Sequence, residues 1–213
     1  MPNWCRTNVT ITASPESIDV LVKEFMDAMR SNPLEADFGN RWLGNLLLYI
    51  GMDSEAVMRG DVRCRGEVSW LEKQNDTSLH LELLSAWSPA MQCIKLFCDH
   101  FVKDAEILYV AEEPGNMLYW TNNPDVAGHV FIETGNIENY PEAIRHLIDG
   151  YQNEPKEEVV RAFSECLGCK ADLAVIEKQL NIKKYSGVST KRRNQPYAVF
   201  HVFEMVEIDK ERT

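Results

Sequence analysis

Residues 4 to 13 alternate strictly, with Cys5, Thr7, Val9, Ile11 and Ala13 set against Trp4, Arg6, Asn8, Thr10 and Thr12. A period of two predicts a strand with one face buried. From Pro15 to Arg30 the spacing changes, and Ile18, Leu21, Val22, Phe25, Met26 and Met29 form the stripe of an amphipathic helix. Residues 31 to 60 interrupt the pattern with a Pro- and Gly-punctuated insertion that holds a short helical run, Trp42 to Ile50. Strands are predicted at about 62 to 72 and 77 to 87, around the turn-forming Gln74-Asn75-Asp76. A second helix spans about Pro89 to Val102, with Met91, Ile94, Phe97, Cys98 and Phe101 on its apolar stripe, and a strand follows at Glu106 to Ala111. The order β-α-β-β-α-β predicts an α+β protein built on the split βαβ, or ferredoxin-like, plan.

One block occurs twice. Val9-Thr10-Ile11-Thr12-Ala13-Ser14-Pro15 and Leu83-Leu84-Ser85-Ala86-Trp87-Ser88-Pro89 each lead a strand into a helix. Both predict a serine N-cap followed by proline in the first turn, because the hydroxyl accepts an orphan backbone N–H and proline has none to lose. The expected domains are residues 1–115, a ferredoxin-like domain with its helical insertion at 31–60, and residues 116–213, an α+β C-terminal elaboration packed on it. Within the latter, strands are expected at Met117 to Thr121 and His129 to Glu133, and helices near Pro141 to Tyr151, Lys156 to Leu167 and Ala171 to Leu180. Tyr197 to Ile208 is apolar on both faces, which predicts a strand buried between layers.

The net charge of −11 disfavours nonspecific binding of duplex nucleic acid by the surface as a whole. Its one local reversal is Lys183, Lys184, Lys191, Arg192 and Arg193, five cations without an intervening acid. The longest apolar run near the middle, Leu46 to Ile50, is too short to span a bilayer, and the first residues lack the features of a secretory signal. A cytoplasmic protein is expected, with no membrane partner and with its six cysteines reduced.

Met1-Pro2-Asn3-Trp4-Cys5 with Asn8, Ala86-Trp87-Ser88-Pro89, and Glu113-Pro114-Gly115 occur in that order, the first at the start of the chain, the second after the third strand and the last after the fourth. Together they resemble the YubB-like, ferredoxin-fold family encoded on plasmids, phages and related mobile elements. The resemblance covers mainly residues 1 to 122. It departs at Ala90, where the family more often carries proline, and Arg41-Trp42-Leu43-Gly44 matches the family's insertion only loosely. The resemblance implies the fold and a structural role for Asn3, Trp4, Cys5, Asn8, Trp87, Ser88, Pro89, Glu113, Pro114 and Gly115. It implies no activity.

Other motifs carry little chemistry. Cys166-Leu167-Gly168-Cys169 lacks the second ligand pair of a zinc site and stands at a helix end rather than a helix start, so it reads as packing around a glycine cap. His80 alternates with Leu79 and Leu81 and shares a polar sheet face with Glu82, a place where proton transfer or ligand binding could occur. Trp4 and Trp87 either pack under neighbouring segments or form an aromatic platform for single-stranded RNA; the missing Gly-aromatic-Gly signature favours packing. No serine elbow, P-loop or H-E-x-x-H helix is present. The expectation is a non-enzymatic accessory protein that binds another macromolecule, foremost a protein, with no cofactor and no metal. Two alternatives stay open: nucleic-acid binding through the basic 183–193 segment, and an enzyme using the face around His80 and Glu82.

Overall fold

The alternation at the start of the chain becomes β1 (Trp4–Thr12), in which Cys5, Thr7, Val9 and Ile11 are fully buried. The computed structural model describes residues 3–31, 38–134, 140–147, 153–181 and 198–208. The chain is an α+β protein of two compact units, Met1–Asn123 with Met205–Thr213, and Pro124–Glu204. The break expected at residue 115 therefore lies at residue 123. The displacement has a physical reason: the strand after Gly115 pairs into the first sheet instead of starting a new layer.

In the first unit, α1 (Pro15–Arg30) is followed by α2 (Leu43–Tyr49) and α3 (Ser54–Arg59), then by the hairpin of β2 (Gly66–Asn75) and β3 (Ser78–Ala86). After α4 (Met91–Phe101) come β4 (Glu106–Glu113), a single 3-10 turn (Pro114–Asn116) and β5 (Leu118–Thr121). The sheet order is β2-β3-β1-β4-β5-β9, where β9 is the two-residue strand Glu204–Met205. Each described pairing from β2 to β5 is antiparallel.

One face of this sheet is covered. Ile18, Leu21, Phe25 and Ala28 of α1 and Met91, Ile94, Phe97 and Cys98 of α4 form one core with Val9, Ile11, Leu79, Leu81 and Leu83. The insertion is part of that core, since Leu43, Leu46 and Leu47 of α2 are fully buried in it. The other face carries Arg6, Asn8 and Thr10 of β1, in register with Leu84, Glu82 and His80 of β3.

The two Ser-Pro helix starts are not equivalent. Ser14 caps α1, its hydroxyl accepting from the Ser17 N–H at 3.3 Å. Ser88 caps nothing: α4 begins only at Met91, behind Ala90, whose methyl group cannot accept a hydrogen bond. The Ser88 hydroxyl is instead held by the Arg63 guanidinium, and its carbonyl accepts the Ser85 hydroxyl at 2.8 Å. A tertiary partner has taken the oxygen that the local pattern assigned to the helix.

The second unit has its own core. Around the sheet β7-β6-β8, formed by β6 (Val130–Thr134), β7 (Asn153–Glu154) and β8 (Ala198–Val202), pack α5 (Glu142–Arg145), α6 (Lys156–Leu167) and α7 (Leu173–Asn181). Val130, Tyr140, Ile144, Val159, Phe163 and Ile176 fill it. The segment expected as one buried strand divides here. β8 edges the second sheet and β9 edges the first, and Val202 and Met205 are exposed. Among the described residues of this run only His201, Phe203 and Ile208 are buried, so apolar positions on both faces did not mean burial on both.

Candidate functional site

Three stretches of sequence separated by up to 113 residues meet at one end of the first sheet. Antiparallel pairing of β1 with β3 sets Trp4 opposite Ala86, and antiparallel pairing with β4 brings the end of that strand beside the start of β1. The Trp87 N–H then donates to the Asn3 carbonyl at 2.9 Å. Asn3 Nδ2 lies 3.5 Å from Asn116 Oδ1, and a Cβ on Gly115 would stand 2.5 Å from Asn3 Nδ2, so a larger residue there would have to displace the Asn3 and Glu113 side-chain ends. Glu113 is buried, and its two carboxylate oxygens accept the N–H groups of Gly115 at 2.9 Å and Asn116 at 2.6 Å. Cys5 belongs to the core beneath. Asn8 stands farther along β1, opposite Glu82 and Val110, and takes no part in this junction.

Above the junction opens a cleft of about 1090 Å³. Trp4, Trp42, Phe38 and Trp87 supply its aromatic surface, and Arg59, Arg63 and Arg65 its charge. Trp4 is 48% exposed and Trp87 47%, which corrects the expectation that both pack away. Trp87 holds its ring there at a backbone cost: its φ is +74°, in the left-handed region that favours glycine. The opposite wall comes from the insertion. The Trp42 indole lies over Gly44, where a Cβ would collide with it, and it packs against Phe38 with ring centroids 4.6 Å apart. Asn45 Nδ2 ties the preceding turn by donating to the carbonyls of Gly39 at 3.1 Å and Asn40 at 3.2 Å.

The charge of the cleft opposes that of the chain. Arg59 is matched by Asp61 at 2.7 Å. Arg63 is steered by Ser88, Arg65 is exposed, and neither has a carboxylate partner among the described residues. Burial alternates from Val62 to Val68, so that Arg63, Arg65 and Glu67 share one side while Cys64 turns inward. Among the described residues Glu67 is the one carboxylate lining the cleft. Desolvation pushes the Cys64 thiol up to about 11, leaving it protonated and unreactive at neutral pH.

The remaining expected sites separate from this one. Lys183, Lys184, Lys191, Arg192 and Arg193 lie outside the described residues. His80 and Glu82 share the open sheet face with Thr10 and Asn8 but do not line the cleft, and no hydrogen bond links the two side chains. Cys166 and Cys169 are half-buried and unbonded around Gly168, whose φ of +61° ends α6. Among the described residues no group of three His, Cys, Asp or Glu side chains is placed to hold a metal ion, and no helix is long and apolar enough to cross a membrane. The sequence reading missed Trp42, Phe38 and Arg59. Trp42 stood in the loosely matching Arg41-Trp42-Leu43-Gly44 and four residues after Phe38, and neither pattern tells where the insertion folds.

Glu112 shows how the open face is tuned. Desolvation pushes its carboxyl up, against the opposing pull of Arg6, its register partner on β1. A raised folded-state pKa means that the folded chain holds the proton longer than the unfolded one, so this group's contribution falls as pH rises through both values. Glu112→Gln is therefore expected to raise the melting temperature at pH 7 and to have lost that advantage by about pH 3.5, where unfolded and folded carboxyls are both protonated. An equal gain at both pH values would assign the effect to something other than charge burial.

No family model, curated protein or solved structure matches the chain. What fold and site define is an α+β protein with an aromatic, arginine-bearing cleft at one end of an antiparallel sheet.

Proposed function

We propose that this protein is a non-enzymatic binding protein that engages another macromolecule through the cleft of its first unit, and that this unit is a ferredoxin-like domain of the YubB-like kind carried by mobile elements. The fold assignment is supported by the strand order β2-β3-β1-β4 laid down in the chain order β-α-β-β-α-β. The family assignment is supported by the meeting of Asn3, Trp87 and Gly115 at one junction. The observation that carries the binding role is the pair of half-exposed indoles, Trp4 and Trp87, set beside Arg65 where the family-like residues converge. Exposed aromatic and arginine side chains in a shared concavity are the usual anchors of macromolecular recognition.

Catalysis has no comparable support. Among the described residues the cleft holds no histidine, its thiol is desolvated, and its buried serines, Ser85 and Ser88, are engaged by the Ser88 carbonyl and by Arg63. The test compares immobilised wild-type chain with a Trp4→Ala/Trp87→Ala variant in extract from the cells that make it, with and without nuclease. A species retained by the wild type and lost from the variant is the expected result. Identical retention by both would overturn the assignment of the cleft as the binding surface.

A further inference from the structure

The cleft is assembled from repeated pairs of a flat ring and a guanidinium. Trp4 and Arg65 flank Ala86: Trp4 is its register partner on β1, and the Arg65 carbonyl accepts its N–H at 2.8 Å. Trp87 is joined to Arg63 through Ser88, the next residue, whose hydroxyl the guanidinium holds. Arg63 and Arg65 project to the same side two residues apart, roughly 6.6 Å along an extended chain. Ala86, between Trp4 and Arg65, also lines the cleft, and its small side chain leaves room for a ligand beside them.

We infer that this cleft takes an unpaired stretch of single-stranded nucleic acid, its bases stacked on Trp4 and Trp87 and its phosphates on Arg65 and Arg63. The inference rests on the reading of the cleft as the binding surface and names its ligand. A nucleotide is itself a flat ring joined to an anion, so a ring-and-guanidinium pair matches it in both parts. Two such pairs in succession match two nucleotides. A duplex fits poorly, because its base faces are already stacked inside the helix and only its edges and phosphates are offered. An acidic peptide would satisfy the arginines but leave both indole faces without a planar partner.

The overall charge of −11 does not oppose contact at this place. Charges farther than a Debye length of about 8 Å are largely screened at physiological salt, and among the described lining residues Arg63 and Arg65, neither paired with a carboxylate, stand against Glu67. The consequence is weak long-range attraction and binding that depends on stacking, with preference for bases over phosphates alone. The positive φ of Trp87 sets the direction of its Cα–Cβ bond and so the side of the turn on which the ring stands.

The test uses the full chain and fluorescein-labelled oligothymidylate or oligouridylate of about 15 nucleotides, read by anisotropy at about 50 mM salt. Competitors are the corresponding duplex and a polyglutamate peptide. Binding of the single strand, not displaced by equal amounts of duplex or polyglutamate, is expected. Trp87→Gly removes the ring while suiting the backbone, because glycine adopts a positive φ without cost; it is expected to weaken binding about tenfold or more. Arg63→Gln with Arg65→Gln is expected to lower the slope of log affinity against log salt by about 1.4, at about 0.7 per phosphate contact. Absence of oligonucleotide binding overturns the inference, and so does binding that both variants leave unchanged. If the oligonucleotide fails while extract retention still separates wild type from the tryptophan variant, the ligand is a protein and the binding role of the cleft stands.

Discussion

Phe97→Ala is expected to destabilise the first unit by about 3–5 kcal/mol, the range for removing a buried aromatic ring from a close-packed core. Phe97 is fully buried on α4 and touches three other rings. Its centroid lies 4.4 Å from Phe25 on α1, 5.2 Å from Phe101 one turn on, and 6.4 Å from Tyr49 at the end of α2. The ring therefore ties both covering helices of the sheet to the inserted one. Truncation opens a void whose walls belong to three helices and cannot all collapse inward. Phe38→Ala provides the contrast: the ring is 52% exposed, and its loss is expected to cost well under 1 kcal/mol. All five tryptophans lie within residues 1–123, so urea unfolding followed by indole fluorescence reports on this unit by itself. A midpoint for Phe97→Ala no lower than that of Phe38→Ala would refute the packing account.

Elements with a clear period were legible in the sequence. β1 repeats every second residue and α1 every third or fourth, and both stand where those periods place them. Asn75 marked the hairpin turn for a local reason, as its side chain accepts the Thr77 N–H at 2.9 Å. Misreadings arose where a residue answers to a distant partner. Ser88 carries the local mark of a cap, and Arg63 claims its hydroxyl from 25 residues away. The apolar run near the C-terminus suited one buried strand, yet its halves serve two sheets.

The candidate site was legible as words and not as a place. Asn3, Trp87 and Gly115 stood out as family-like residues, but their contact depends on strand order, which no local pattern encodes. The far wall of the cleft was hidden for the same reason. Trp42 and Phe38 sit in an insertion whose burial of Leu43, Leu46 and Leu47 fixes where those rings point, and that burial is a property of the assembled core. Exposure was the other hidden quantity. Tryptophan is rich in apolar area, so a sequence reading assigns it to the interior by default, whereas Trp87 follows the last residue of β3 in a left-handed turn that leaves its ring outside.

Glu113 and Glu112 are expected to respond in opposite directions to the loss of charge, although they are neighbours on β4. Glu112 points to the open face, where burial penalises its carboxylate, and its replacement by glutamine relieves that penalty. Glu113 points the other way and satisfies two backbone N–H groups that the turn over Pro114–Asn116 would otherwise leave unpartnered. Hydrogen bonds to a charged acceptor contribute about 1.5–3 kcal/mol each, so Glu113→Ala is expected to cost about 2–4 kcal/mol once water recovers part of the loss. Glu113→Gln should cost less, since one oxygen still accepts while the new amide faces an N–H. The damage should also reach the cleft. Gly115 sits against Asn3, and the Asn3 carbonyl anchors the Trp87 N–H, so a loosened turn frees the strained tryptophan to relax away from its binding position. Urea midpoints for the three variants, with oligonucleotide or partner affinity measured on each, decide this. If Glu113→Ala proves as stable as wild type, or if it unfolds early yet binds normally while folded, the turn does not position the site.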